Sequence, residues 1–148
     1  MKIIVINGPN LNMLGKREKS IYGNNTLKDL EDYISNKFKK VNDEIIIEFF
    51  QSNHEGCIID KIHESMDRYD GIVLNPGAFT HYSYAIHDAI KSIDINVVEV
   101  HISNIHKREE FRQKSVTASA CIGQISGFGF DSYVLGITAL INANNAFK

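Results

Sequence analysis

Glu99 and His101 stand two positions apart in an apolar run, Glu99-Val100-His101-Ile102-Ser103-Asn104. In a strand, such residues point to one face, so the carboxylate and the imidazole lie side by side while Val98 and Val100 take the other face. A carboxylate beside an imidazole fixes its tautomer and favours its charged form, which makes a general acid–base unit. The alternative is a buried pair that only satisfies itself. At the binding end of a sheet the acid–base reading is the stronger, because Glu is rarely buried without a purpose.

A second set of reactive types lies between Asn7 and Gly23, in NGPNLNMLGKREKSIYG. This connection holds Asn10, Arg17 and Tyr22. It is far longer than the roughly 2–6 residues of an ordinary strand-to-helix loop, which points to function or to disorder. A free phenol titrates near about pH 10 and is a poor base at neutrality. A guanidinium nearby favours the phenolate and can lower that value by roughly 1–3 pH units. Tyr22 with Arg17 is therefore a base able to take a proton from the carbon beside a carbonyl. Asn10 can donate to the enolate oxygen that results, directly or through water. Against this, Tyr22 also reads as a surface-packed loop aromatic, and Asn10 as ordinary turn chemistry.

His81 and Asp88 are seven apart and share one face of an expected helix. At about 1.5 Å per residue they stand roughly 10 Å apart, too far to act on each other. They fit two different sites, one of them in a neighbouring subunit, with a solvated helix charge as the alternative for Asp88. Other signals are weak. His54-Glu55 begins like a zinc HExxH motif, but position 58 is Ile. Gly127-x-Gly129 lacks the third glycine of a dinucleotide fingerprint and follows the last strand. No His/Cys cluster has metal spacing, so no metal is expected.

The elements that must carry these groups are legible as hydrophobic runs and periods. Strands are expected over 2–7, 44–50, 71–74, 96–102 and 121–125. Helices are expected over 26–41 (Leu27, Leu30, Ile34, Phe38 and Val41 inward) and from Glu55 to Tyr69, capped by Ser52-Asn53, with Ile58, Ile59, Ile62 and Met66 inward. A third runs from a Thr80 cap to Ser92 with Ala85, Ile86, Ala89 and Ile90 inward, and a last one from Asp131 to Ala146. A short charged helical piece is expected around Arg108 to Lys114. Strand and helix alternate, which requires parallel strands with right-handed crossovers on both faces of one sheet. The expectation is a flavodoxin-like three-layer α/β domain over residues 1–148, with sheet order 2-1-3-4-5. Ligands in such sheets bind outside the carboxyl ends of the strands. The ends of strands one, three and four bring Asn7 and Asn10, Asn75 with His81 shortly after, and Glu99 to Asn104 to that place.

A net charge of -2 gives no reason to expect nucleic acid or an anionic membrane as partner. No apolar run approaches the roughly 20 residues of a membrane span. The chain enters a strand at once, so no signal peptide is expected. Two distant cysteines, Cys57 and Cys121, make no disulfide framework. The expected location is therefore the cytoplasm.

The segments GPNLNMLGKREKSIYG, QSNHEG, LNPGAFTHYSYAIHDAI, EVHISNIHKREEFR and SGFGFDSYVLGI resemble, in order and over nearly the whole chain, the type II 3-dehydroquinases. The resemblance implies a flavodoxin-like fold, no metal or organic cofactor, and trimers packed into dodecamers. It implies a hydro-lyase reaction, anti elimination of water from 3-dehydroquinate through an enolate to give 3-dehydroshikimate. By motif, Tyr22 matches the base and Arg17 the cation that holds it as phenolate. Asn10 matches the residue that positions the enolate-stabilising water. His101, oriented by Glu99, matches the acid for the departing C1 hydroxyl, with Asn75 near that hydroxyl. The N–H groups of Ile102 and Ser103 match the carboxylate site, and His81 and Arg112 bind ring hydroxyls. Asp88 matches a residue that reaches an adjacent subunit's site.

The loop over about 11–23 is then expected to act as a lid. Lys19 stands where the family often has Pro, His87 where it often has Arg, and 115–120 match loosely. The implied role is the shikimate pathway of aromatic amino acid biosynthesis, with quinate catabolism using the same reaction. The rivals are non-catalytic or redox proteins of the same fold. An FMN carrier needs a Ser/Thr-rich phosphate loop after strand one, which GPNLN is not. A phospho-receiver needs acidic residues after strand one and an Asp where Asn75 stands.

Overall fold

The first strand decides the layering. In β1 (Lys2–Asn7) every residue from Ile3 to Asn7 is buried, so both faces of the strand must be covered. The computed structural model of the chain describes residues 1–16, 24–40 and 44–145. β1 pairs in parallel with β2 (Ile46–Gln51) on one side and β3 (Gly71–Asn75) on the other. β4 (Asn96–His101) and β5 (Gly123–Ser126) extend the sheet, giving the order β2-β1-β3-β4-β5. This is the expected doubly wound topology. Asn7 and Asn75 are register partners at the carboxyl ends of β1 and β3, where the strand order reverses.

The helices are α1 (Leu27–Lys39), α2 (Glu55–Ser65), α3 (Tyr84–Lys91) and α4 (Asp131–Asn145). Side-chain alternation along the strands sorts them into two layers. Ile3, Val5, Val73, Val98 and Val100 pack with Leu30, Ile34 and Phe38 of α1 and with Tyr133, Ile137 and Leu140 of α4. Ile4, Ile6, Ile72, Leu74 and Val97 pack with Ile58 and Ile62 of α2 and with Ile86, Ala89 and Ile90 of α3. Each fully buried Ile or Leu contributes roughly 1.5–3 kcal/mol relative to an exposed one. Glu99 and His101 share the Val97 parity, so they project on the α2/α3 side. Asn7 and Asn75 share the parity of Val5 and Val73, so they project on the α1/α4 side.

The expected elements are present, with differences that have local causes. α1 starts after Thr26, whose hydroxyl accepts the Asp29 N–H while the Asp29 carboxylate accepts the Thr26 N–H, a reciprocal capping box. Val41, expected in this helix, and Ala146, expected at the end of the last one, lie outside the described residues. β2 and β5 are each displaced by about two residues from their expected starts. In α2 the cap position is His54, not Ser52-Asn53, and the Ser52 hydroxyl accepts the His54 N–H instead. That helix ends at Ser65, so Met66 falls outside it and is exposed, and Ile59 is only partly buried.

The third helix departs most. Gly77–His81 is a 3-10 turn, and α3 begins only after Ser83, whose hydroxyl accepts the Ile86 N–H. Thr80 is therefore not a cap, and Ala85 faces outward. Between β4 and β5 there is no α-helix. The chain makes three short 3-10 turns there, Ile105–Lys107, Glu110–Arg112 and Ala118–Ala120. The charged piece around Arg108 to Lys114 is one of these turns.

Two turns interlock at the carboxyl ends of β1 and β3. The Gly8 N–H donates to the Asn75 carbonyl at 2.7 Å. A Cβ on Gly8 would stand 2.5 Å from the Pro76 carbonyl oxygen, a backbone atom that cannot step aside. The absence of a side chain at position 8 thus sets how closely the loops that carry Asn10 and Asn75 approach. Gly8→Ala is expected to force them apart and to cost about 2 kcal/mol in urea denaturation, within the range of overpacked cores. An unchanged denaturation midpoint would show that the two loops part freely.

Candidate active site

A narrow cleft of about 130 Å³ opens at the carboxyl ends of the strands. Asn10, Asn75, His81, His101, Ile102, Ser103 and Arg112 all line it. These residues come from four separate stretches of the chain, and the sheet brings them together as expected. Arg108, which sequence reasoning had not singled out, lines it too. A larger open cleft of about 710 Å³ adjoins it and shares Ile102, Ser103 and Arg108. Arg17 and Tyr22 lie outside the described residues. Leu11 and Leu14, inside the stretch expected to act as a lid, are buried in the core.

Asp88 does not line this cleft. It sits on α3 with its side chain 81% exposed, held by the His87 ring at 3.0 Å.

At the back of the cleft Glu99 is fully buried and His101 nearly so. His101 Nε2 and Glu99 Oε1 are 2.7 Å apart. An ionised carboxylate can only accept, so Nε2 carries a proton and Nδ1 is the nitrogen left for the cleft. Glu99 is surrounded by donors. The Thr80 and Ser115 hydroxyls and the Gln124 amide donate to Oε1 at 2.8, 3.0 and 2.8 Å, and the Thr117 hydroxyl donates to Oε2.

Burial pushes the Glu99 carboxyl up. The hydrogen bond and charge of His101 outweigh this, with further help from Thr117 and Gln124, and hold it at about 2. It is an anion at neutral pH. The pair is more than self-satisfying, since the carboxylate has five donors and His101 also lines the cleft.

Four of those donors escaped sequence reasoning. Thr80 reads as a helix cap, and Ser115 and Thr117 lie in an irregular connection with no periodicity. Gln124 carried a signal only in retrospect, since it is the register partner of Glu99 on β5.

The other cleft residues are also held. Asn10 has φ 67, a left-handed conformation that Asn tolerates better than most residues. Its N–H donates to Asn53 Oδ1 at 2.9 Å, and Gln51 ties the same loops by donating to Asn53 and to the Gly8 carbonyl. Turn chemistry and a role in the cleft are thus compatible for Asn10. His81 Nδ1 lies 2.7 Å from the Lys114 carbonyl, which fixes the proton on Nδ1 and leaves Nε2 as acceptor. Burial lowers the His81 pKa against the lift of that hydrogen bond, and His101 and Arg112 add to the lowering. Arg112 is clamped by Glu109 at 2.9 Å and lies over the Phe111 ring.

The cleft can therefore hold a small polyhydroxylated anion. It offers Arg112 and Arg108 as cations, an acceptor at His81, and amides at Asn10 and Asn75. It also offers the His101 imidazole, whose Nε2 is engaged by Glu99. Among the described residues no group of three or more His, Cys, Asp or Glu side chains is placed to hold a metal ion.

The family model for class II dehydroquinases matches residues 1–141. The 3-dehydroquinate dehydratase of Clostridium beijerinckii is 62% identical over 95% of this chain and 95% of its own length. That of Clostridium acetobutylicum is 63% identical over 96% of this chain and 97% of its own. The crystal structure of the type II dehydroquinase from Butyrivibrio crossotus superposes with a TM-score of 0.90 at 56% identity, covering 95% of this chain and 97% of that one.

The pull of the donors on Glu99 has a consequence for stability. The carboxyl's ordinary value is 4.5, and its native value is lower. The stabilisation is therefore complete above about pH 5 and lost as the pH falls toward 2. Urea denaturation from pH 7 to 3, at fixed protein concentration, should show a shallower acid loss for Glu99→Gln than for the unsubstituted chain. Equal acid slopes would mean that the native carboxyl is not held down.

Proposed function

The chain belongs to the class II dehydroquinase family, and from that premise we propose that it dehydrates 3-dehydroquinate to 3-dehydroshikimate. The observation that carries the reading is the Glu99–His101 pair, with its Nδ1 edge in a cleft beside Ile102 and Ser103. The substrate carboxylate is received by the N–H groups of Ile102 and Ser103, and its ring hydroxyls by His81 and Arg112. His81 Nε2 suits this task, because a neutral imidazole acceptor takes the proton of a hydroxyl.

In the reaction the Tyr22 phenolate, favoured by Arg17, removes the proton from the carbon beside the ketone. The electron pair moves into the carbonyl, and Asn10 positions a water that donates to the enolate oxygen. The enolate then re-forms the ketone as the bond to the C1 hydroxyl breaks. That hydroxyl takes the Nδ1 proton of His101 and leaves as water, and a conjugated enone remains. Glu99 keeps its negative charge throughout and steadies the imidazolium before the proton is given up. Every step is proton transfer and charge stabilisation by side chains, so the chemistry asks for no metal or organic cofactor.

Asp88, exposed and seven positions from His81, suits contact with an adjacent subunit's site in a trimer, and trimers would pack into a dodecamer. His87 against Asp88 places an imidazole where the family often has an arginine. The reaction fits the shikimate pathway of a cytoplasmic enzyme. Among the described residues no helix is long and apolar enough to cross a membrane.

The test follows enone formation by ultraviolet absorbance when protein is mixed with 3-dehydroquinate, with EDTA present and after borohydride treatment. Turnover should survive both. Tyr22→Phe should keep the fold, and Tyr22→Phe and His101→Ala should each lose about 10²–10⁴-fold in kcat. Normal rates in Tyr22→Phe would remove the proposed base, and normal rates in His101→Ala the proposed acid.

A further inference from the structure

Three buried side chains from β1, β3 and α4 form a string behind the cleft wall. Asn75 Nδ2 donates to the Tyr133 hydroxyl at 2.7 Å, and that hydroxyl donates to Asn7 Oδ1 at 2.7 Å. The direction of the string is set by one backbone group. The Gly77 N–H, which can only donate, faces Asn75 Oδ1 at 3.1 Å. The oxygen of the Asn75 amide must therefore stand there and its NH2 must face Tyr133. The phenol oxygen then accepts from Asn75, and its single proton goes on to Asn7.

The same logic leaves the Asn7 NH2 buried without a partner among the described residues. An orphaned buried donor is unfavourable, and three apolar groups of the same shape would avoid it. Only Asn75 of the three lines the cleft. The string therefore bears on the site through the way the Asn75 amide faces.

We propose that Tyr133, backed by Asn7, is a positioning residue that holds the Asn75 amide with its second N–H toward the departing hydroxyl oxygen. This rests on the dehydratase reading above. Gly77 holds the amide oxygen and Tyr133 holds the nitrogen, so two anchors fix the amide plane. In this orientation Asn75 donates to an oxygen that gains negative charge as its bond to carbon breaks, before the His101 proton has fully arrived. Turned the other way, Asn75 would accept the hydroxyl's own proton. That contact binds substrate but does nothing for the departing oxygen. The orientation therefore bears on kcat and leaves ground-state binding largely alone.

The experiment is a double-mutant cycle of Tyr133→Phe with Asn75→Ala, read as kcat and KM separately. Tyr133→Phe alone should lower kcat about 10-fold or more with KM changed by less than about 3-fold. Affinity for the product, which lacks the departing hydroxyl, should be unchanged. In the Asn75→Ala background the same substitution should cause no further fall in kcat. Losses that multiply in the double variant, or a fall in product affinity matching the fall in kcat, would overturn the inference.

Should Tyr133→Phe fail to fold by circular dichroism, Asn7→Ala serves in its place. It removes the acceptor for the Tyr133 proton, and its effect on kcat should likewise vanish without Asn75. An unsubstituted chain that forms no enone would sink the dehydratase reading itself. Normal turnover with multiplying losses would sink only the role of Tyr133.

Discussion

A fully buried carboxylate at position 99 is the constraint on which the rest of the site depends. An unpaired ion in that place would cost several kcal/mol. The chain meets the demand with donors from four places: the 3-10 turn after β3, the connection from Ser115 to Thr117, the edge strand β5, and His101 on its own strand. Their convergence explains features that otherwise look like irregularities. The turn at Gly77–His81, which breaks at Tyr82 before α3, holds Thr80 against Glu99. The β4–β5 crossover has no α-helix, and its hydroxyls are spent on the same carboxylate. Once satisfied, the anion holds the His101 ring in place at the cleft wall.

The opposite face of the sheet serves the same cleft by a different device. On the Glu99 side a charge is met by many donors. On the Asn75 side neutral groups pass hydrogen bonds one to the next from a single backbone N–H. The two meet where the strand order reverses, and the close approach of Gly8 to Pro76 sets the spacing of the loops between them. Geometry at this end of the sheet is thus set mainly by backbone and buried polar groups, with apolar packing confined to the layers below.

Much of this was legible in the sequence, for definite reasons. Continuous apolar strands and three- and four-residue helical spacing have few alternatives, so the order of elements and the layering followed from them. The pairing of Glu99 with His101 followed from strand periodicity alone. Thr80 was misread because a Thr before an apolar run has the look of a cap, and nothing local reveals a carboxylate nineteen positions away. Ser115 and Thr117 fall where there is no period to read, in a stretch that matched the family loosely. Tyr133 was not singled out in the sequence, and only the fold shows where its hydroxyl points. His81 and Asp88 do not share a helix as expected, because His81 ends the 3-10 turn and α3 begins only at Tyr84, so the helical spacing read between them does not hold. Asp88 is exposed and does not line the cleft.

The hydrogen bond from Tyr133 to Asn7 joins residues 126 positions apart. A chain emerging from the ribosome makes β1 near the start and α4 near the end, so the first strand must wait for almost all the rest before its polar end is satisfied. Until then Asn7 faces water or transient partners, and Asn75 has no phenol behind it. Sheets built by such distant pairings close late and slowly. The definition of the cleft's Asn75 wall therefore depends on α4 staying docked against the sheet.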